Sequence, residues 1–146
     1  MADLVAVKNN VRKMLASEFG TVSENDNGNF FITNESSVTF VSIDDWEHNN
    51  ENVGVVEVFS IVVSGLKEIN KDLAVELCTE LSRRFGTWFF VKRDDGLYNL
   101  IFKIDLIAAT LDSAELINAV LMVAIVSNAE DDGLVRKYGG EVFISE

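Results

Sequence analysis

The spacing of apolar residues predicts an α+β domain, a five-stranded, mainly antiparallel sheet with three helices in the order α-β-β-β-α-β-β-α. Three observations carry this. Three stretches repeat apolar residues at helical intervals, and each closes on an aromatic residue followed by glycine: Phe19-Gly20, Phe85-Gly86 and Tyr138-Gly139. Five other runs are β-branched or alternate apolar with polar residues. Two of those runs flank Asp95-Gly96, a strong short hairpin signal.

In the first helix Leu4, Val7, Val11, Met14, Leu15 and Phe19 share a stripe, with Asp3 placed to cap it and Gly20 to stop it. A polar stretch at 23–29 carries the turn pair Asn27-Gly28. Phe30-Phe31-Ile32 and residues 38–43 read as short strands around a turn at Asn34-Glu35. Residues 44–52 are acidic and amide-rich and read as a polar loop. Residues 53–64 form the longest β-branched run, suited to a pleated surface.

Asn70 or Asp72 opens a second helix with the stripe Leu73, Leu77, Cys78, Leu81 and Phe85, ended by Gly86. Strands at 87–92 and 97–106 form the hairpin. Asp112-Ser113-Ala114-Glu115 then has an acidic capping-box pattern before a third helix that reaches Tyr138, with Gly133 as a point of weakness.

The chain has 146 residues, of which 48% are apolar, enough for one substantial core, so residues 1–146 read as a single domain. Twelve basic residues against 24 acidic ones give a net charge of −12. Such a field repels nucleic acid and anionic lipid, and favours a basic partner or a solubilising role. The short basic groups Arg12-Lys13, Arg83-Arg84 and Arg136-Lys137 stand near helix C-termini, where they complement the helix dipole. Cys78 is the only cysteine, so no internal disulfide forms, and its place on the stripe predicts a buried thiol. The start Met1-Ala2-Asp3-Leu4 lacks a signal-peptide pattern, and the apolar segment 116–126 is too short to span a bilayer, so the expected location is cytoplasmic.

No catalytic pattern emerges. His48, the single histidine, lies among Asp44, Asp45, Glu47 and Glu51 without the spacing of a coordination sphere. A calcium loop with Gly28 at its sixth position would put Ser23 first and Asn34 last, where Asp and a bidentate Glu are required. A phosphate-binding glycine loop and a nucleophile elbow are both missing from the sequence. The expectation is a chain that is not an enzyme and uses neither metal nor cofactor.

The long strands say more. In 97–106, Tyr98, Leu100, Phe102, Ile104 and Leu106 share one face, which reads as core. In 53–64, Val55, Glu57, Phe59, Ile61 and Val63 oppose Val56, Val58, Ser60 and Val62, so both faces are apolar and both need cover. Three helices cover one face of a five-stranded sheet and only part of the other. The remainder is a candidate for a homodimer contact or a peptide site. The candidate binding residues are Val55, Phe59, Ile61, Leu97 and Ile101, with Trp46 on the polar loop as a flap. Glu57 in the same row favours a client carrying Lys or Arg.

The element order resembles the type III secretion chaperone-like fold shared with YbjN-type proteins. The resemblance runs from about Leu4 to Tyr138. It is most specific where Phe102-Lys103-Ile104-Asp105-Leu106 leads through Ala108, Ala109 and Leu111-Asp112 to a helix ending Lys137-Tyr138-Gly139-Gly140. It implies a small acidic dimer that binds extended polypeptide segments of client proteins without ATP or metal, and it implies no catalytic residues. The expected function is a chaperone-like adaptor. The alternatives are a regulatory domain for one folded partner, or a small-molecule-binding or catalytic domain whose pocket the sequence does not display.

Overall fold

The computed structural model of the protein describes residues 3–143. Its elements are α1 (Leu4–Phe19), β1 (Ser23–Glu24), β2 (Phe30–Asn34), β3 (Ser37–His48), β4 (Glu51–Leu66), α2 (Lys71–Cys78), β5 (Thr87–Lys92), β6 (Tyr98–Ile107) and α3 (Ser113–Tyr138). The strands form one antiparallel sheet in the order β1-β2-β3-β4-β6-β5.

The sheet has six strands rather than five. The extra one is Ser23–Glu24, which pairs with Phe31 and Phe30. It is too short and polar to show alternation. Its pairing is imposed by the turn: the Asn25 side-chain carbonyl accepts from the Asn27 and Asn29 amides, and Gly28 takes φ 79°.

Residues 44–52 are not a loop. β3 and β4 stay paired from Asp44 with Val55 through to His48 with Glu51, and beyond Val55, which also pairs with Ile107, they run on as a two-stranded arm. The turn is only Asn49-Asn50, with φ values of 52° and 65°, as a two-residue hairpin demands. Polar side chains on both faces do not prevent backbone groups from pairing, and the β-branched residues of β4 supply the partner strand.

α1 is capped as expected, with the Ala6 amide donating to Asp3 and Gly20 at φ 78°. α2 is shorter than its stripe predicts, ending at Cys78, which is exposed rather than buried. Thr79 turns its hydroxyl onto the Val75 carbonyl, and the Leu81 carbonyl accepts from the Trp88 indole at 2.8 Å, so the next turn of helix is replaced by contacts to β5. Gly86 is therefore not a helix stop. A Cβ there would lie 2.2 Å from Cζ of the buried Phe102 ring, so glycine lets the chain pass over that ring.

α3 runs unbroken through Gly133, capped by Asp112, whose carboxylate accepts from the Glu115 amide at 2.8 Å. At 26 residues it has the length and apolarity of a membrane span, yet it packs on the sheet as a core helix, burying Leu116, Val120, Val123 and Leu134. One core forms between the helices and a single sheet face. Val11 and Leu15 of α1, Leu73 and Leu77 of α2, and the α3 stripe meet Phe30, Val41, Val56, Val58, Leu100, Phe102 and Leu106. The Ser60 hydroxyl on this face bonds Ser127 of α3 at 2.9 Å. Ser36 in the β2–β3 turn donates to the buried Asp131 at 2.7 Å, pinning the turn to the same helix.

Candidate functional site

Strand alternation settles which face stays open. Val56, Val58, Ser60 and Val62 of β4 are buried under the helices, so Val55, Glu57, Phe59 and Ile61 point to the other side, where each is half-buried. Register extends this face across neighbouring strands. Phe31 stands opposite Phe40, Phe40 opposite Phe59, and Phe59 opposite Lys103. The result is an aromatic row, with ring centroids 6.4 Å apart for Phe31–Phe40 and 5.2 Å for the near-parallel Phe40–Phe59 pair.

The row floors a depression of about 730 Å³ that also takes in Glu24, Asp26, Ile61 and Phe143. Next to it, Lys103 lies 4.8 Å from the Phe89 ring centroid and forms ion pairs with Glu57 at 3.6 Å and Asp105 at 3.3 Å. Burial raises the Glu57 carboxyl above its ordinary value, Lys103 pulls it back, and Asp105 and Asp44 push it up again. On the rim, Glu24 is held below the usual carboxylate range, chiefly by its hydrogen bond from Lys8 with Arg12 adding to it.

The residues that follow α3 reach this face too. Gly139 and Gly140 take φ values of 90° and 76°, and the chain turns back onto β4, where Glu141 and Ser64 exchange two backbone hydrogen bonds of 2.8 Å. Phe143 then meets Phe40 edge-on at 5.8 Å.

Of the residues singled out from the sequence, Phe59 and Ile61 lie together in the depression. Val55 shares their face but stands beyond Glu57, toward the arm. Ile101 pairs with Ile61, on the same face, and is only 6% exposed. Leu97 precedes β6 and lines a separate hollow with Ser64, Gly65, Arg93 and Glu141. Trp46 is not a loop flap. It is held in β3 opposite Val53, 55% exposed and stacked on His48 at 5.0 Å, about 20 Å along the strand from Phe40. Among the described residues no three His, Cys, Asp or Glu side chains converge as a metal site.

Sequence reasoning missed Phe31, Phe40, Phe89, Lys103 and Phe143. Alternation in 38–43 does contain the signal for Phe40, since Val41 and Ile43 take the opposite phase. Nothing in the sequence announces Phe143, because its place depends on a chain reversal after α3.

The comparisons with known proteins bear on the fold and the family. Similar folds occur in YbjN from E. coli, described as a candidate transcription regulator (TM-score 0.61, 12% identity, covering 86% of this chain and 92% of that one). The Yersinia pestis type III secretion chaperone SycH, in complex with a stable fragment of YscM2, gives a TM-score of 0.51 at 13% identity over 84% of this chain and 98% of that one. The HopA1–SchA chaperone–effector complex gives 0.52 at 14% identity over 95% and 98%. No curated protein sequence matches the chain significantly. The model of the type III secretion (YopN, CesT) and YbjN peptide-binding chaperone family 1 matches residues 6–146, and the chain belongs to that family.

Proposed function

We propose that the protein is a non-enzymatic, cytoplasmic chaperone-like adaptor that binds an extended polypeptide segment of a client across the open sheet face. The observation that carries this reading is the row Phe31–Phe40–Phe59, an aromatic surface left without a helix in a chain of a peptide-binding family. Side chains at alternate positions of an extended segment meet such a row, while main-chain groups pair along a strand. Glu57 and Asp26 favour clients with Lys or Arg near the apolar residues. The working unit in this proposal is a homodimer, the commonest closed assembly.

Phe59→Ser tests it. Phe59 is half-buried and outside the helix-covered core, so the variant is expected to keep its circular dichroism and most of its thermal stability while losing about tenfold or more in client affinity, measured on partners recovered by co-purification and mass spectrometry. Unchanged client binding rules the row out as the site. Recovery of one stoichiometric folded partner would instead make the protein a regulatory domain.

A further inference from the structure

We infer that the segment 141–143 occupies the peptide-binding face in cis, as a tethered strand that a client must displace. The inference rests on the peptide-binding reading above and names the mode of binding and its regulation. Three observations carry it. The segment pairs with β4 as a peptide would: Glu141 and Ser64 exchange N–H···O=C bonds of 2.8 Å in each direction, antiparallel. It delivers an aromatic ring to the row, with Phe143 edge-on to Phe40 at 5.8 Å. It also covers apolar floor that no helix reaches. Val38 and Phe40 are only 3% and 9% exposed although they lie on the open side, and Val38 lines one hollow with Val142 and Phe143.

The approach is built into the backbone. Gly140 combines a φ of 76° with contacts that leave no room for a side chain, since a Cβ would come within 2.7 Å of Val63 Cγ1 and 2.8 Å of the Ser64 carbonyl oxygen. Any other residue there would hold the segment off β4. The geometry also specifies the ligand class, an extended segment with an aromatic side chain two residues after the one that pairs with Ser64. Glu141 and Phe143 have that spacing. A site filled in cis binds a client with apparent affinity reduced by the fraction of sites left open.

The test uses a dye-labelled synthetic peptide of residues 139–146, titrated by fluorescence anisotropy into the full chain. The Phe143→Ser chain is expected to bind it about tenfold more tightly than the unsubstituted chain, and adding Phe59→Ser is expected to cancel the gain. Equal affinity for the Phe143→Ser and unsubstituted chains overturns the inference, and so does binding by neither. Client co-purification with the unsubstituted chain then shows separately whether the peptide-binding reading survives. A second measurement needs no variant. Excess peptide is expected to speed hydrogen exchange at the Glu141 amide of the chain while the Ser64 amide stays protected. Unchanged protection at Glu141, with peptide bound, would refute displacement.

Discussion

A single missing Cβ shows how tightly residue identity is set. At Gly86 the chain crosses the face of Phe102, and a methyl group would sit 2.2 Å from Cζ and 2.8 Å from both Cε atoms. Phe102 is fully buried and packs on Trp88 with centroids 4.9 Å apart, so its ring has nowhere to retreat. Gly86→Ala is expected to cost about 1–3 kcal/mol, the usual range for overpacking, visible as a lower denaturation midpoint. Glu57 gives the opposite sign. Its folded-state carboxyl lies above the usual 4.5, mainly from burial, so the folded chain holds that proton more tightly than the unfolded one does. Keeping it ionised costs stability above the folded value, and the cost disappears below 4.5, where folded and unfolded chains both hold the proton. Glu57→Gln is expected to raise the thermal midpoint at pH 7 by the equivalent of at most about 1 kcal/mol, the Lys103 pair offsetting part of the gain. The difference should vanish near pH 4. A variant less stable at pH 7 would show that the ion pair outweighs desolvation.

At the scale of elements, the N-terminal helix caps and the Asp95-Gly96 turn were legible in the sequence, whereas strand ends, the Asn49-Asn50 turn and the end of α2 were not. Asp3 and Asp112 cap the helices assigned to them, and of the two candidates Asn70 and Asp72 it is Asn70 that caps α2, because a short carboxylate or amide reaches the orphan amides of the first turn whatever the tertiary context. Asp112→Ala is accordingly expected to cost about 1 kcal/mol in urea denaturation, by freeing the Glu115 amide. The turn at Asp95-Gly96 was equally local, with Gly96 at φ 85° and the Arg93 amide donating to the Leu97 carbonyl at 2.7 Å. What escaped depends on partners distant in sequence. The arm of β3 and β4 holds polar residues in a ladder that composition assigned to a loop, and α2 loses its last turn to the Trp88 indole. The phase of β4 was readable, but which phase faced the helices was not, because Val55, Phe59 and Ile61 are as apolar as Val56, Val58 and Val62. Only the packing of α3 decided it, through contacts such as Ser60 to Ser127.

For the molecule as a whole, charge and apolar surface pull association in opposite directions. All three helices lie on one side of the sheet, so the other side keeps its aromatic row, and β5 leaves one edge unpaired with Val91 38% exposed beside it. With the aromatic row reserved for the client, the β5 edge and the apolar surface beside it are what favour contact with a second copy. Against this stands a net charge of −12 on each chain. Two such chains repel over distances comparable to the screening length, about 30 Å at 0.01 M salt and about 8 Å at physiological strength. Apolar burial is not weakened by added salt, whereas the repulsion is screened. A homodimer held by apolar contacts should therefore tighten as salt rises, the reverse of an assembly held by ion pairs. Sedimentation velocity at high micromolar protein is expected to show dimer at physiological salt and a larger monomer fraction at 0.01 M. Monomer alone under both conditions would reject the dimer, and dissociation on adding salt would mean that ion pairs, not the apolar surface, hold it together.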